Sequence, residues 1–292
     1  MEMFLGLSEV QLRLSVFIGV FLIMALLEVL MPRRKLGYSK TKRWTTNISI
    51  IAIDSFIVRL MAMFVVPLLA VSTAFWTESN SWGLLHLVDW PIWLEILIAV
   101  VLLDMAIYGQ HVASHKITML WHFHRMHHAD VDIDLTTGTR FHPVEIALSM
   151  LYKIVLVLIL GPSPEAVVIF EVLLNGSAMF NHANFKLPLF LDRVVRLIFV
   201  TPDMHRVHHS IIHNETDSNY GFALSIWDRI FRTYNDQPEK GHDHMTIGLP
   251  DYQSEKPTQI AWSLKLPFTG DDSFSLPHEH EADQKQATKK EP

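Results

Sequence analysis

The sequence predicts an all-α integral membrane protein, a bundle of about four spans that includes a proline-broken helical hairpin, capped by a cytoplasmic histidine-rich helical layer. Three observations predict it. Half of the 292 residues are hydrophobic and 18% are charged, short of the roughly 25% charged residues of soluble domains. Apolar stretches recur at the length a crossing needs, about 20 residues. The 17 histidines are gathered next to those stretches rather than spread along the chain. The chain has no cysteine, which excludes a disulfide framework, a thiolate zinc site and a cysteine-held iron–sulfur cluster. A net charge of -6 gives no electrostatic case for nucleic acid.

The first span is expected over residues 11–31, with no small-residue cleavage site to mark a signal peptide. A basic loop follows with Arg33, Arg34, Lys35, Lys40, Lys42 and Arg43. The second span is placed at 46–75, interrupted by Asp54 and Arg59, and the segment 77–89 after it lacks lysine and arginine. The third, 90–108, opens with Trp90 and Trp93, which suit the membrane interface. Residues 144–180 exceed one span and are broken by Gly161-Pro162-Ser163-Pro164, a turn between two helices of a hairpin. Residues 187–200 read as an amphipathic surface helix with Arg193 and Arg196 on one side. The organisation is an N-terminal membrane region (1–95), a catalytic domain (96–250) and a polar tail (251–292), disordered from about Thr269 onward. The basic loop places its end of the bundle in the cytoplasm. The histidines from His111 to His244 follow it there.

Three clusters carry the chemistry: His111 and His115; His124, His127 and His128; His205, His208 and His209. Spacings of three and four put each cluster on one helix face. Converging neutral imidazoles make a site for iron, copper, zinc or nickel. Eight ligands are too many for one ion, so two ions with about four imidazoles each are expected. A lone histidine pair is more often a surface feature, and HRMHH alone could be a basic patch. The same H-R-x-H-H pattern twice, each beside a membrane stretch, argues for metal. His182, in FNHANF, is a ninth candidate, returned to the same face by the hairpin.

Asp104, Tyr108, His111 and His115 fall on one helix stripe. Asp104 and Tyr108 are therefore candidate catalytic residues behind the ligands, with a carboxylate placed to orient an imidazole. Thr201-Pro202-Asp203 reads as the start of the helix that carries the third cluster. His142 beside Pro143 reads as a cap at least as readily as a ligand, and His213 is open. His122, His86, His278 and His280 are given no role, and His242 and His244 read as polar loop residues.

The segments LWHFHRMHH, RFHPVE, NHANF, TPDMHRVHHS and NYGFALSIWDRIFRTY together resemble the fatty acid hydroxylase/sterol desaturase superfamily, especially its bacterial-type members, over about residues 96–249. The resemblance implies an integral membrane non-haem di-iron enzyme that hydroxylates or desaturates a lipid with O2. It also implies that the eight clustered histidines, with His182, hold two iron ions, for which zinc can substitute in purified protein. Two departures stand out: Val112 where the family often has Arg, and Phe231-Arg232-Thr233 where it has Phe-Gly-Thr. Neither touches a proposed ligand.

An inert C–H bond needs a redox metal. The chain has no dinucleotide fingerprint, haem-attachment motif or cysteine to feed one. A separate electron donor (ferredoxin, cytochrome or reductase) is therefore expected. The bacterial-type resemblance points to the plasma (inner) membrane, and the terminal KKEP to the endoplasmic reticulum if the source is eukaryotic. A histidine-rich transition-metal transporter or binding protein is the alternative. It predicts ligands near the midplane on broken, repeated helices, whereas these histidines follow the spans.

Overall fold

The structure is a computed structural model that describes residues 2–4, 7–64 and 69–269. Nine helices build the framework: α1 (Glu9–Leu30), α2 (Lys40–Phe64), α3 (Ala70–Ser79), α4 (Ile92–Lys116), α5 (Thr118–His128), α6 (Pro143–Leu160), α7 (Pro164–His182), α8 (Leu189–Val195) and α9 (Pro202–His208). Four of them, α1, α2, α4 and α6, are long and apolar enough to cross a membrane. The chain is an all-α, multi-span bundle, as the apolar stretches predict.

Local chemistry sets the ends of these helices. Ser8 caps α1 in a reciprocal box with Gln11, and Ser163 and Thr201 cap α7 and α9, each followed by a proline at the first helical position. The hairpin turn holds Gly161 in the left-handed region, φ +62°, as the C-cap of α6. There the backbone passes against Gly83, whose φ is +113°. A Cβ on Gly161 would lie 2.1 Å from the Trp82 carbonyl oxygen, so only glycine fits. Trp82 Nε1 donates to the Leu158 carbonyl at 2.9 Å, and Ser163 donates to Glu95 from its amide at 3.0 Å and its hydroxyl at 2.7 Å. These contacts fasten one end of the bundle.

The opposite end gathers the basic loop and the histidine helices. Arg43 is fully buried and clamps Asp130 at 2.8 Å and Asp134 at 2.5 Å. Arg140 donates to Asn47, Ser263 and the carbonyls of Met126 and Pro257. Arg33 reaches Asp203 at 3.1 Å, and buried Glu28 accepts from the amides of Leu135 and Asn184. A buried guanidinium is tolerated only when its donors are matched in this way. At the centre, α7 packs on α1, α3, α4 and α9, so its last turn delivers His182 among helices from both halves of the chain.

The structure differs from the expectations in four places. The second stretch is not one span: α2 begins at Lys40, and Ala70–Ser79 is a separate helix packed on α6 and α7. Residues 65–68, between the two helices, lie outside the described residues. The third span runs on to Lys116, so His111 and His115 ride on the same rigid rod that crosses the bundle. In α8, Arg193 is exposed but Arg196 is buried, bound to Asp192 and Asp236. The exposed face is instead apolar, with Leu189, Phe190 and Val194. Residues 251–269, read with the tail, fold back: Leu266 packs with Ile50, Trp121 and Met126 in one core. The rest of the tail, 270–292, lies outside the described residues.

Candidate metal centre

Nine buried histidines converge on two neighbouring groups. His111, His115, His124, His128 and His208 form the first, and His127, His182, His205 and His209 the second. Within each group the candidate ligand nitrogens all lie within 4.8 Å of one another. The helix geometry explains the division. Residues four apart share a face, while adjacent residues diverge by about 100°. His111 and His115, His124 and His128, and His205 and His209 are i, i+4 pairs, and each pair stays in one group. His127 and His208 sit beside a pair member and point into the other group. Each H-x-x-H-H box thus feeds both centres.

Five of the nine rings turn Nδ1 toward a carbonyl or carboxylate oxygen. His111 Nδ1 is 2.8 Å from the Tyr220 carbonyl, His208 Nδ1 2.7 Å from that of Ser218, and His182 Nδ1 2.7 Å from that of Ala178. His124 Nδ1 lies 2.7 Å from Glu145 Oε1, and His115 Nδ1 3.6 Å from Asp217 Oδ1. Asp217 is itself held by Lys116 at 2.5 Å and by the Tyr220 hydroxyl at 3.0 Å. A ring whose Nδ1–H donates to a carbonyl or carboxylate presents a bare Nε2 lone pair inward. The His127 ring stacks on Phe141, with centroids 4.5 Å apart and planes 8° from parallel.

That tautomer makes a test of whether a cation fits. His182 Nε2 has no proton to give, yet the Nε2 atoms of His127, His205 and His209 stand 3.1, 3.0 and 3.3 Å from it. One lone pair accepts one proton, so hydrogen bonding cannot satisfy this set. A metal with bonds of about 2.0–2.1 Å sets neighbouring ligand nitrogens about 2.8–3.4 Å apart at octahedral or tetrahedral angles. In the first group, His115 and His128 face each other at 3.1 Å. The Nε2 atoms of His111, His124 and His208 are buried without a hydrogen-bond partner among the described residues. Burial, reinforced by neighbouring imidazoles, holds His127, His128, His205 and His209 well below the ordinary histidine range. Burial likewise brings His208 to about 3. Neutral rings are what a metal requires.

Other expected residues fall outside the two groups. Asp104 does not meet an imidazole; it accepts from the amides of Ala223 and Leu224 at 3.2 Å each and from Trp227 Nε1 at 2.8 Å. It anchors the segment that follows Tyr220. The Tyr108 hydroxyl pairs with Thr233 at 2.9 Å, and its ring stacks on Phe231 with centroids 5.2 Å apart. His142 caps α6 by accepting from the Val144 amide. His213 approaches Asp217 at 3.4 Å, one residue removed from His115. His242, read as a loop residue, is buried with Nε2 3.8 Å from Asp203 Oδ2, and burial lowers it to about 4. Asp130, which follows His128-Ala129, turns to Arg43 instead of the histidines. Sequence reasoning missed Glu145 and Asp217. The RFHPVE segment, with a carboxylate in the first turn of α6, held a signal for the former.

A cavity of about 550 Å³ opens on both groups. His111 and His124 of the first group and His127, His182 and His205 of the second line it, and it runs among α1, α2, α4, α6 and α7 with Phe17, Ile107, Met150 and Leu174 in its walls. This volume is within the range of small-molecule sites.

Comparison with known proteins agrees with this geometry. The family model described as fatty acid hydroxylase matches residues 96–233, the stretch that carries all nine histidines. The chain is similar to an ornithine lipid hydroxylase of Rhizobium tropici, with 27% identity over 76% of this chain and 67% of that protein. It is similar to the alkylglycerol monooxygenase of Homo sapiens, with 33% identity over 47% of this chain and 30% of the other. It is also similar to the cholesterol 25-hydroxylase of Homo sapiens, with 25% identity over 48% and 50%. The chain thus spans less than a third of the alkylglycerol monooxygenase. No solved structure matches it significantly. With the match, the relatives and the repeated histidine boxes in agreement, residues 96–233 of the chain form a fatty acid hydroxylase region.

Proposed function

We propose that this protein is a membrane non-haem di-iron oxygenase that hydroxylates or desaturates a lipid, using O2 and electrons from a separate donor. The carrying observation is the pair of all-imidazole groups at one end of an apolar bundle, both facing one cavity. Nine imidazoles without a thiolate suit iron, copper, nickel or zinc, and breaking an inert C–H bond selects a redox metal. Iron bound there would supply the oxidising power. The lipid class is what the relatives share: their names give an ornithine lipid, an alkylglycerol and cholesterol as substrates.

The chain's own residues bind, orient and exclude water. His111, His115, His124, His128 and His208 would hold one ion and His127, His182, His205 and His209 the other. Glu145, Asp217 and the carbonyls of Tyr220, Ala178 and Ser218 fix the ring orientations and keep the inward nitrogens deprotonated. Phe17, Ile107, Met150 and Leu174 keep the reacting bond out of water. Hydroxylation combines the C–H bond with O2, two electrons and two protons to give C–OH and water; desaturation gives C=C and two waters. The basic loop shares the histidine end through Arg33–Asp203 and Arg43–Asp130. The positive-inside tendency therefore favours a cytoplasmic site, reached there by a ferredoxin, cytochrome or reductase.

The test is metal analysis of protein purified in detergent and reloaded with ferrous iron, followed by turnover with a reductase system and membrane lipid extract. About two irons per chain, and an O2-dependent product that gains one oxygen atom or loses two hydrogens, support the reading. Failure of carefully prepared protein to hold iron would sink it.

A further inference from the structure

The wall of the cavity carries more charge than an alkyl chain needs. Ile51, Asp54, Ser55, Val58 and Arg59 form its stripe on α2, and Glu145, Ser149 and Lys153 lie on its α6 side. From Glu145, bound to His124, to Lys153 is eight residues of helix, so the lined region extends about 12 Å from the histidines along α6. Ionisable groups at this depth are costly and are kept where they meet a partner or a polar cavity.

Some have partners within the chain. Glu171 binds Arg13 at 2.7 Å and Lys153 at 2.8 Å. Others do not. Asp54 is 8% exposed, and its Oδ1 is buried without a hydrogen bond among the described residues. Glu145 gives Oε1 to His124 and leaves Oε2 buried and unmatched. Both carboxylates line the same cavity, and an unmatched buried acceptor is expensive. Arg59 lines it too, from an exposed position, and forms no ion pair among the described residues. Two acceptors short of donors and one guanidinium short of an anion describe the complement of a ligand with both charges.

We propose that the cavity is a head-group site for a lipid whose head carries an amine and an acidic group, the amine held by Asp54 with Glu145 and the acid by Arg59. The proposal rests on the oxygenase reading and deepens it. A head in this cavity places the bond presented to the histidines in the head, or in the chain next to it, rather than far along an acyl tail.

The test measures binding to the full-length protein in nanodiscs, with and without iron, by displacement of a fluorescent lipid. The probes share one alkyl length: Nα-palmitoyl-lysine (amine and acid), hexadecylamine (amine), palmitate (acid) and hexadecylglycerol (neither). Nα-palmitoyl-lysine is expected to bind most tightly. Asp54→Asn should weaken it and hexadecylamine by about ten-fold or more while sparing palmitate, and Arg59→Gln should weaken it and palmitate while sparing hexadecylamine. Equal affinities for the four probes, or affinities that neither substitution moves, would overturn the proposal. Thermal unfolding of each variant separates a lost contact from a lost fold. Failure of the oxygenase reading shows in iron content and product formation, neither of which enters these affinities.

Discussion

Glu145 Oε1 lies 2.7 Å from His124 Nδ1, although 21 residues separate the two and they sit on different helices, α6 and α5. The contact fixes the donor end of the imidazole and turns its other nitrogen toward the first group. Glu145→Ala should therefore lower metal affinity by about 10- to 100-fold. Glu145→Gln, which keeps an acceptor but not the charge, should cost less. Competition with a chelator of known strength reads both. Equal affinity in wild type and Glu145→Ala would show that the carboxylate does not support the ligand.

His182 and His142 bracket the hairpin and look alike in sequence, yet they part in the structure. His182 Nε2 stands among three other imidazole nitrogens at 3.0–3.3 Å, whereas His142 caps α6. Loss of His182 should empty one centre and leave the other, so His182→Ala is expected to fall from about two irons per chain to about one. His142→Ala should keep its iron and lose about 1 kcal/mol of stability, the usual worth of a helix cap. Metal analysis and thermal unfolding of the pair decide it.

The metal-free protein should be sensitive to acid. Among its buried imidazoles His208 titrates far below its unfolded value, at about 3 against about 6.5 in an unfolded chain. Between those values the unfolded chain binds more protons. The stability from keeping the ring neutral is present above about pH 6.5 and is lost as pH falls toward 3. For His208 alone the loss is about 1.4 kcal/mol per pH unit in that window. His127, His128, His205 and His209 shift in the same direction. Unfolding temperatures of stripped protein at pH 7.5 and 5.5 should differ markedly. Iron-loaded protein should resist at first, then release metal as protons compete for the nitrogens.

Much of this site is legible in the sequence because helical spacing is a local property. HVASH, HRMHH and HRVHH reveal which imidazoles share a face, and Thr201-Pro202 marks where the helix of the third box starts. The assignment of His127 and His208 to the opposite group follows from the same rotation. The five-and-four split depends on where α7 delivers His182, and that is a matter of packing. Glu145 and Asp217 were missed because carboxylates are common and their contacts with the ligands are long-range. Asp104 shows the converse. Its helix stripe was visible, but its partners, Ala223, Leu224 and Trp227, lie more than a hundred residues away. The single reading of residues 46–75 as one span failed because hydropathy does not separate α2 from Ala70–Ser79, a helix of its own packed on α6 and α7.

Asp104→Ala should act as a structural substitution with a reach to the site. It strands two backbone amides and an indole N–H, each costing about 1–3 kcal/mol if left unmatched, and loosens the segment beside Tyr220, whose carbonyl holds His111. Lower stability with a raised chelator sensitivity of the first group is expected. Asp104→Asn, which retains one acceptor, should recover part of both. Unchanged chelator sensitivity in a destabilised Asp104→Ala would confine the residue to folding.

Gly138 and Gly176 offer a matched pair for the role of close packing around His182. A Cβ on Gly138 would stand 2.3 Å from the Ala178 carbonyl oxygen and 3.2 Å from His182 Nδ1. The Ala178 oxygen is the acceptor that orients His182. Backbone atoms of α7 cannot yield as a side-chain tip can, so Gly138→Ala must push the loop and α7 apart where the second group is assembled. On the same helix, a Cβ on Gly176 meets nothing nearer than Val20 Cγ2 at 4.0 Å. Gly176→Ala should be neutral or stabilising by up to about 1 kcal/mol, the helix propensity of alanine over glycine. Gly138→Ala should lose iron from the second group and activity with it, while the first group keeps its ion. The two variants differ by the same single methyl group, so iron content that falls in Gly138→Ala alone would trace the second centre to this contact, and equal iron in both would show that α7 does not set it.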